Sequence, residues 1–241
     1  MRGRRIRLAI ALAALCGFGL AAAYALGATG EISSATTCAS VNSCSYSASS
    51  FTIAGGQVAK FHNATISSGY SGTSHSVLAN NTKTLGGKSL FVSKIIPSGA
   101  TTAVNGTQYL APGDYVFHCA IHGPSMSATL HVVGGAPLAR PKVALKVTSS
   151  RLAAVRKSGR LGIRVNASGS KASGVDVKAT RNGKKLADKR GVSVAAGSSK
   201  PVKLVLSKQA RKSLKGLDKA TIKLAARVPF GKATAATRTL H

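Results

Sequence analysis

Short runs in which apolar and polar residues alternate, separated by glycine or proline, recur along most of this chain. Between residues 31 and 133 no stretch keeps the period of an amphipathic helix. Alternation with a period of two is the pattern of strands that bury one face and expose the other. The pattern therefore predicts an all-β protein built of sandwiches.

Lysine and arginine divide the chain into two parts. Residues 31–140 hold five of them against two acidic residues, a formal charge of +3, whereas residues 141–241 hold 25 against three, a formal charge of +22. The change coincides with the segment GGAPLARP at 134–141, whose glycines and prolines are typical of a linker. We therefore expect one domain over 31–133 and a second, strongly basic domain over 142–241.

Residues 1–28 have the pattern of a secretory signal peptide. Four arginines precede an apolar run from Leu8 to Leu26, and Ala23 and Ala25 form an A-x-A site that predicts cleavage near residues 25–28. The run is almost long enough to cross a bilayer, so an uncleaved membrane anchor stays open as the alternative. In both cases we expect export, to a periplasm, a cell surface or the extracellular space.

Export makes the pairing of cysteines meaningful, because disulfides persist in oxidising compartments. Cys16 falls within the predicted signal peptide, and Cys38 and Cys44 lie close together in the Ser/Thr-rich segment TTCASVNSCSYS. We expect these two to form a disulfide, with two free thiols as the alternative. Cys119 is then the odd cysteine and needs another explanation.

Five runs predict the strands of the first domain, a sandwich of about a hundred residues. They are GGQVAKFHN, SHSVLA, SLFVSKI, APGDYVFHC and SATLHVV. In the second domain the runs KVALKVTS, RLGIRVNAS, VDVKATRNGKKLADK, KPVKLVLS and ATIKLAARV predict an immunoglobulin-like or fibronectin-III-like sandwich. Its Asn-Gly dipeptide indicates a hairpin turn, and SKQARKSLKGL indicates one short helix capped by Ser207.

The segment YVFHCAIHGPSM, at 115–126, concentrates side chains that bind metals. Strand alternation puts Cys119 on the aromatic, inward face and His118 on the opposite face. His122 lies in the following loop, and Met126 lies at its far end. A thiolate, an imidazole and a thioether are soft to borderline ligands, which suit copper better than magnesium or calcium.

The segment resembles the cupredoxins, the small blue copper proteins such as plastocyanin, amicyanin and pseudoazurin. In that family the last two strands enclose a C-x(n)-H-x(n)-M loop, preceded by a Pro-Gly turn and aromatic strand residues. The resemblance covers roughly residues 45–133. Its matching residues here are Pro112, Gly113, Tyr115, Phe117, Cys119, His122 and Met126.

The resemblance implies a cupredoxin-like Greek-key β-sandwich that binds one type 1 copper. Cys119, His122 and an upstream histidine would bind in the equatorial plane, and Met126 would bind weakly on the axis. The upstream ligand of the family lies at an HxV strand start, which favours His75 in SHSV, while His62 stays open. The implied activity is one-electron transfer between Cu(II) and Cu(I), so we do not expect an enzyme.

Other interpretations fit these residues less well. A thioether is a poor ligand for zinc, and structural zinc sites usually contain several cysteines. The dipeptide His118-Cys119 resembles that of copper nitrite reductases, whose histidine binds a second, catalytic copper, but the chain has no H-x-H pair to complete such a site. We expect His118 to be a surface or sheet residue, and the resemblance implies that its position next to Cys119 is a candidate electron route. The C-x2-H spacing gives no arrangement for a Cys–His hydrolase.

The basic domain is expected to attract polyanions. Nucleic acid is disfavoured, because Phe230 is the only aromatic residue there for base stacking. Anionic envelope polymers or lipid head groups are the expected partners, with a merely solvated basic surface as the alternative. The chain is thus predicted to be an exported blue-copper electron-transfer protein with unknown redox partners. The alternative is an envelope adhesion or structural protein, or a copper storage or delivery protein, without a redox-carrier role.

Overall fold

The structure is a computed structural model that describes residues 30–38, 40, 43–69, 74–80, 89–232 and 234–241. The predicted signal peptide, including Cys16 and the cleavage site, lies outside these residues. Within the described ranges no helix has the length and apolar character that a membrane span requires.

Strands make up most of the described chain, so the all-β prediction is confirmed. They are β1 (Glu31–Cys38), β2 (Cys44–Tyr46), β3 (Ser50–Ala54), β4 (Ala59–His62), β5 (Ser68–Gly69), β6 (Leu78–Ala79), β7 (Thr101–Val104), β8 (Gly113–Cys119), β9 (Gly123–Val133), β10 (Lys142–Val147), β11 (Arg160–Ser168), β12 (Ala172–Arg181), β13 (Lys184–Val194), β14 (Ser199–Val205), β15 (Ala220–Arg227) and β16 (Thr234–Leu240). The helical segments are a 3-10 turn at Thr107–Tyr109, α1 (Leu152–Ser158) and α2 (Lys208–Ser213).

Two sheets form the first β-sandwich. One has the strand order β2-β1-β4-β7, with β5 also paired to β1, and the other has the order β3-β9-β8-β6. The pairs β1–β4 and β3–β9 are parallel, whereas β8–β9 is antiparallel. The core between the sheets contains Ile32, Phe61, Phe91, Phe117 and Leu130.

Two of the predicted strands are only partly formed. In SHSVLA the regular strand is limited to β6, and His75 makes an isolated bridge to Ile96. In SLFVSKI only Val92 forms bridges, because the Ser93 hydroxyl accepts a hydrogen bond from the Val77 N–H (2.8 Å) in place of a ladder partner. These segments therefore run as irregular backbone held by backbone hydrogen bonds and by the Ser93 hydroxyl, a feature that alternation alone does not predict.

The second β-sandwich combines a sheet of order β10-β11-β14 with a sheet of order β13-β12-β15-β16. The predicted hairpin is present, since Arg181 pairs with Lys184 across Asn182 and Gly183, whose φ angles of 48° and 75° suit a type I′ turn. The predicted helix is α2, whose Ser207 cap accepts a hydrogen bond from the Ala210 N–H (3.0 Å).

Helix α1 is absent from the sequence prediction. It has two buried residues, Leu152 and Val155, and it ends at Gly159 in the left-handed conformation (φ 64°). Seven residues between two strands give less than two full periods, so the helical pattern is too short to detect.

The segment 134–141 connects β9 to β10 and contacts both sandwiches. The Arg140 guanidinium lies 5.6 Å from the centroid of the Tyr109 ring and donates a hydrogen bond to the Phe230 carbonyl (3.1 Å). Gly106 is required here, because its φ is 106° and a Cβ would lie 2.3 Å from the Leu90 carbonyl oxygen.

A buried polar network ties together three segments of the first sandwich. The Ser34 hydroxyl donates to Asn63 Oδ1 (2.9 Å) and accepts from the Ala64 N–H (2.9 Å). Asn63 Nδ2 donates to the Ile96 carbonyl (3.0 Å), and Ile96 in turn pairs with His75. The network therefore supports the backbone that carries His75.

Replacing Asn63 with alanine should lower the free energy of unfolding by about 1–3 kcal/mol, because the buried Ser34 hydroxyl loses its acceptor and the Ile96 carbonyl loses one of its two donors. Urea unfolding measures the change. Thr65→Ala, two residues away and exposed, is the control and should stay within about 0.5 kcal/mol of the original protein. Equal stability of the two variants would contradict the structural role of the network.

Candidate metal centre

Cys119 is the last residue of β8 and is fully buried. Phe117, two residues earlier, is also fully buried, whereas Val116, the residue before Phe117, is 50% exposed. This alternation places His118 on the other side of the strand, where its ring contacts the Asn80 side chain. The structure therefore separates His118 from Cys119, as the pattern predicts.

The pairing of β8 with β9 brings Met126 to the same end of the core. His118 pairs with Ser127, but the register then shifts, and Cys119 pairs with Gly123. Without the shift Cys119 would stand opposite Met126, and opposite residues of antiparallel strands project to the same side. Both side chains are fully buried. Met126 is the only methionine of the chain apart from Met1.

His75 reaches this point from a distant part of the chain. Its N–H donates to the Ile96 carbonyl (3.0 Å), and the Ile96 N–H donates back to the His75 carbonyl (2.9 Å). Its ring is fully buried, with Nδ1 3.3 Å from His122 Nδ1 and 3.9 Å from Cys119 Sγ. The candidate ligand atoms of these three residues all lie within 4.8 Å of one another.

The alternative upstream ligand, His62, lies elsewhere. It belongs to β4, and its Nδ1 lies 3.0 Å from the Thr101 hydroxyl. Among the described residues His62 joins no group of side chains that could hold a metal. His131 is likewise occupied, since its ring pairs with Asp114 at 2.6 Å on the exposed face of the sheet.

The geometry fits a metal ion. Two nitrogens that bind one ion at about 2.0–2.1 Å with a tetrahedral angle are about 3.4 Å apart, close to the 3.3 Å between the imidazoles of His75 and His122. The other nitrogen of His122, Nε2, is buried and has no hydrogen-bond partner among the described residues, so no hydrogen bond at that nitrogen holds the ring.

Burial keeps both imidazoles neutral. It lowers the pKa of His75 to about 4, with a further contribution from the neighbouring His122. Burial also lowers the pKa of His122. Neutral imidazole is the form that binds metals, so the protein holds the two rings ready at neutral pH without having to remove protons.

A further layer of residues orients the cysteine loop, and sequence analysis missed it. The Ser76 hydroxyl accepts a hydrogen bond from the Ala120 N–H (3.1 Å) and lies 3.9 Å from Cys119 Sγ. Tyr46 donates from its hydroxyl to the Ser76 carbonyl (2.6 Å). Burial, with a smaller effect of Cys119, raises the Tyr46 pKa, so the phenol remains a donor. The one sequence signal for the role of Tyr46 in this layer is that an aromatic residue lies two positions after Cys44.

The predicted disulfide between Cys38 and Cys44 is confirmed. Its position was not predicted: Cys38 Sγ lies 4.0 Å from His75 Nε2. The disulfide therefore lies next to Nε2 of the His75 ring, and the other candidate ligands lie next to Nδ1. Cys119 is the free cysteine of the described chain and is buried.

Comparisons with known proteins identify no family. No protein-family model and no curated protein sequence match the chain. Solved structures similar to it include a biofilm-associated protein BSP domain (16% identity, 70% of this chain and 25% of that chain, TM-score 0.23). The exo-chitosanase CsxA of Amycolatopsis orientalis is 11% identical over 76% of this chain and 25% of its own, with a TM-score of 0.29. A marsupial T cell receptor is 11% identical over 86% and 97%, with a TM-score of 0.28.

The chain thus spans about a quarter of the length of the first two of these proteins. What the structure establishes is a β-sandwich with a buried His/Cys/His group that could hold a metal.

The metal-free protein should lose stability as the pH falls from about 6.5 to about 4. The folded-state pKa of His75 lies below the value of about 6.5 in an unfolded chain, so protons bind the unfolded chain preferentially in this window. The loss attributable to His75 should be about 1–3 kcal/mol. Urea unfolding at pH 7 and pH 4.5 measures it.

A His75→Gln variant is the control for other titrating groups and should show a shallower decrease between the two pH values. The same decrease in both proteins would show that His75 is not held neutral by the fold.

Removing the disulfide should weaken metal binding. In a Cys38→Ser/Cys44→Ser variant the His75 ring loses its neighbour at Nε2, and loss of such supporting contacts typically lowers metal affinity by about 10- to 100-fold. Competition with a chelator for Cu(II) measures the affinity. Ser40→Ala/Ser43→Ala alters the same loop without touching His75 and should bind as before; equal affinities in all three proteins would limit the disulfide to a role in stability.

Proposed function

We propose that this chain is an exported copper protein that transfers single electrons through one type 1 site formed by His75, Cys119, His122 and Met126. The observation that carries the proposal is the convergence of a buried free thiol and two buried or half-buried neutral imidazoles on one point. The buried thioether at the same end of the core completes the donor set.

The identity of the metal follows from the donors. One thiolate, two imidazoles and a thioether match the copper preference for soft and borderline ligands, whereas calcium and magnesium require oxygen. Copper bound by these residues would supply a Cu(II)/Cu(I) couple. The absence of a second cysteine in the group disfavours a structural zinc site.

The residues around the site would serve electron transfer in two ways. Strand backbone and the Ser76 and Tyr46 hydrogen bonds hold the ligand-bearing segments, so a change of charge requires little rearrangement. The half-buried His122 lies next to Ile121, which is 48% exposed, and offers a short path to the surface. His118 remains a second candidate route, through its contact with Asn80.

The proposal includes membership of the cupredoxins for residues 31–133. The candidate ligand loop connects β8 and β9, the last two strands of the first sandwich, as the family resemblance implies. The disulfide supports export to an oxidising compartment. The separate core of residues 143–240 supports a second domain, which we assign to association with the cell envelope.

The oxidised protein reconstituted with Cu(II) should show an intense visible absorption band, because a buried thiolate bound to Cu(II) absorbs strongly in charge transfer. Cys119→Ser should abolish the band, and His62→Ala, which alters a histidine outside the group, should preserve it. A colourless complex of the unaltered protein, or tighter binding of zinc than of copper, would contradict the proposal.

Met126→Leu should keep the visible band and raise the reduction potential, since losing a weak donor destabilises Cu(II) more than Cu(I). Protein-film voltammetry measures both the potential and its reversibility. The unaltered protein should give a reversible one-electron couple. An irreversible couple would favour a storage or delivery protein, and a potential unaffected by Met126→Leu would remove Met126 from the site.

A further inference from the structure

On the outer side of the sheet β10-β11-β14 of the second sandwich, all the charged side chains are lysines and arginines. Leu161 and Ile163 point into the core, and the residues between and around them point out. The antiparallel register aligns the three strands so that their outward positions form one surface. We call this surface the basic face, and its cations are Lys142, Lys146, Arg160, Arg164 and Lys203.

The acidic residues of this half of the chain lie elsewhere. Asp176 and Asp188 belong to β12 and β13 of the other sheet, where Asp188 pairs with Lys185 (3.1 Å). Asp218 follows α2. Among the described residues the basic face therefore has no acidic side chain of its own to neutralise it.

Its charges are close enough to repel one another. Lys146 stands directly opposite Arg164, an arrangement of like charges that destabilises a strand pair. Lys203 stands opposite Gly162, between Arg160 and Arg164 along the neighbouring strand. Neighbouring strands are about 4.8 Å apart, less than the Debye length of about 8 Å at physiological salt. An anion bound across these strands would relieve the repulsion.

A small pocket adjoins the basic face at Arg160. Four hydroxyl-bearing residues, Thr148, Ser149, Ser150 and Ser158, line it together with Arg151, Arg160 and two apolar residues of α1. Ser149 and Ser158 use their hydroxyls as acceptors for the Gly162 and Arg160 N–H groups. The volume of about 220 Å³ is below the roughly 300–1,000 Å³ of pockets that enclose drug-sized ligands, so the pocket suits one unit of a polymer.

We infer that the basic face and this pocket bind an anionic polysaccharide, a linear polymer whose sugar units carry carboxylates. Arginine pairs with carboxylates through two parallel hydrogen bonds, which gives the face its attraction for the charged groups. Serine and threonine hydroxyls both donate and accept, as sugar hydroxyls do, which gives the pocket its fit for a sugar ring. The inference rests on the proposed association of this domain with the envelope and names its surface and its ligand.

Two other polyanions fit the surface less well. A bilayer would favour large apolar side chains that insert between head groups, and Val205, 67% exposed, is the one large exposed apolar side chain described on this face. Single-stranded nucleic acid would favour aromatic rings for stacking. Phe230, the aromatic residue of this domain, lies instead 6.3 Å from the Tyr109 ring, centroid to centroid.

Calorimetric titration of the chain lacking residues 1–28 with polygalacturonate, at near-physiological salt, tests the inference. Lys146→Gln/Arg164→Gln/Lys203→Gln should bind about tenfold to a hundredfold more weakly. The matched control removes three charges from the exposed side of the other sheet, in Lys178→Gln/Lys223→Gln/Arg227→Gln. It should lose less than about threefold. If both variants lost affinity for polygalacturonate equally, net charge alone would explain the binding and the inference would be overturned.

The pocket has a separate test, without any change of charge. Thr148→Ala/Ser150→Ala should weaken binding of polygalacturonate several-fold and leave binding of polyphosphate unchanged, because polyphosphate has no sugar hydroxyls. Polyphosphate, phosphatidylglycerol vesicles and single-stranded DNA serve as competing probes. Tighter binding of any of them than of polygalacturonate would overturn the choice of ligand.

These outcomes are independent of the proposed copper site. All variants should keep the visible band of the copper-loaded protein, and polymer binding is measured on the metal-free protein. Loss of the band in the unaltered protein would count against the copper proposal alone, whereas failure to bind the polymer with the band intact would count against the basic face alone.

Discussion

The antiparallel register between β8 and β9 is the constraint on which the candidate site depends. Six consecutive pairs, from Gly113–Val132 to His118–Ser127, fix which side chains of each strand face the core. A slip of one residue would turn Cys119 outward and His118 inward. The shift in register after His118 then releases the loop that carries His122, so ladder and loop together place donors of two kinds at one end of the core.

The other half of the site depends on contacts between residues distant in sequence. His75 lies on irregular backbone, held by Ile96, whose carbonyl is in turn held by Asn63. The disulfide packs at the far nitrogen of the His75 ring. Burial of this ring without a charged partner requires the neutral form, which lowers its pKa and leaves a nitrogen available as a ligand. The packing around His75 thus contributes to the stability of the fold and also keeps the ring in the neutral form that can bind a metal.

Sequence patterns predicted the features that are local. Alternation gave the faces of β8 and β9, the Asn-Gly dipeptide gave the turn before β13, and Ser207 gave the cap of α2. The patterns failed where side chains replace ladder partners, as Ser93 does for the predicted strand SLFVSKI. The neighbourhood of the disulfide and His75, and the hydrogen bond from Tyr46 to the loop, depend on tertiary packing that no local pattern encodes.

The candidate cation site and the strongly basic surface belong to different sandwiches, and the two features would conflict if they shared one core. A buried site for a cation is disfavoured by surrounding positive charge, and a surface of formal charge +22 requires a core that can bear the repulsion. The second core consists of aliphatic residues and has no member in common with the first. Since the lysines and arginines of β10, β11 and β14 are all exposed, their charge is stabilised by water and counter-ions. The properties of the candidate metal site therefore depend on its own side chains and their burial.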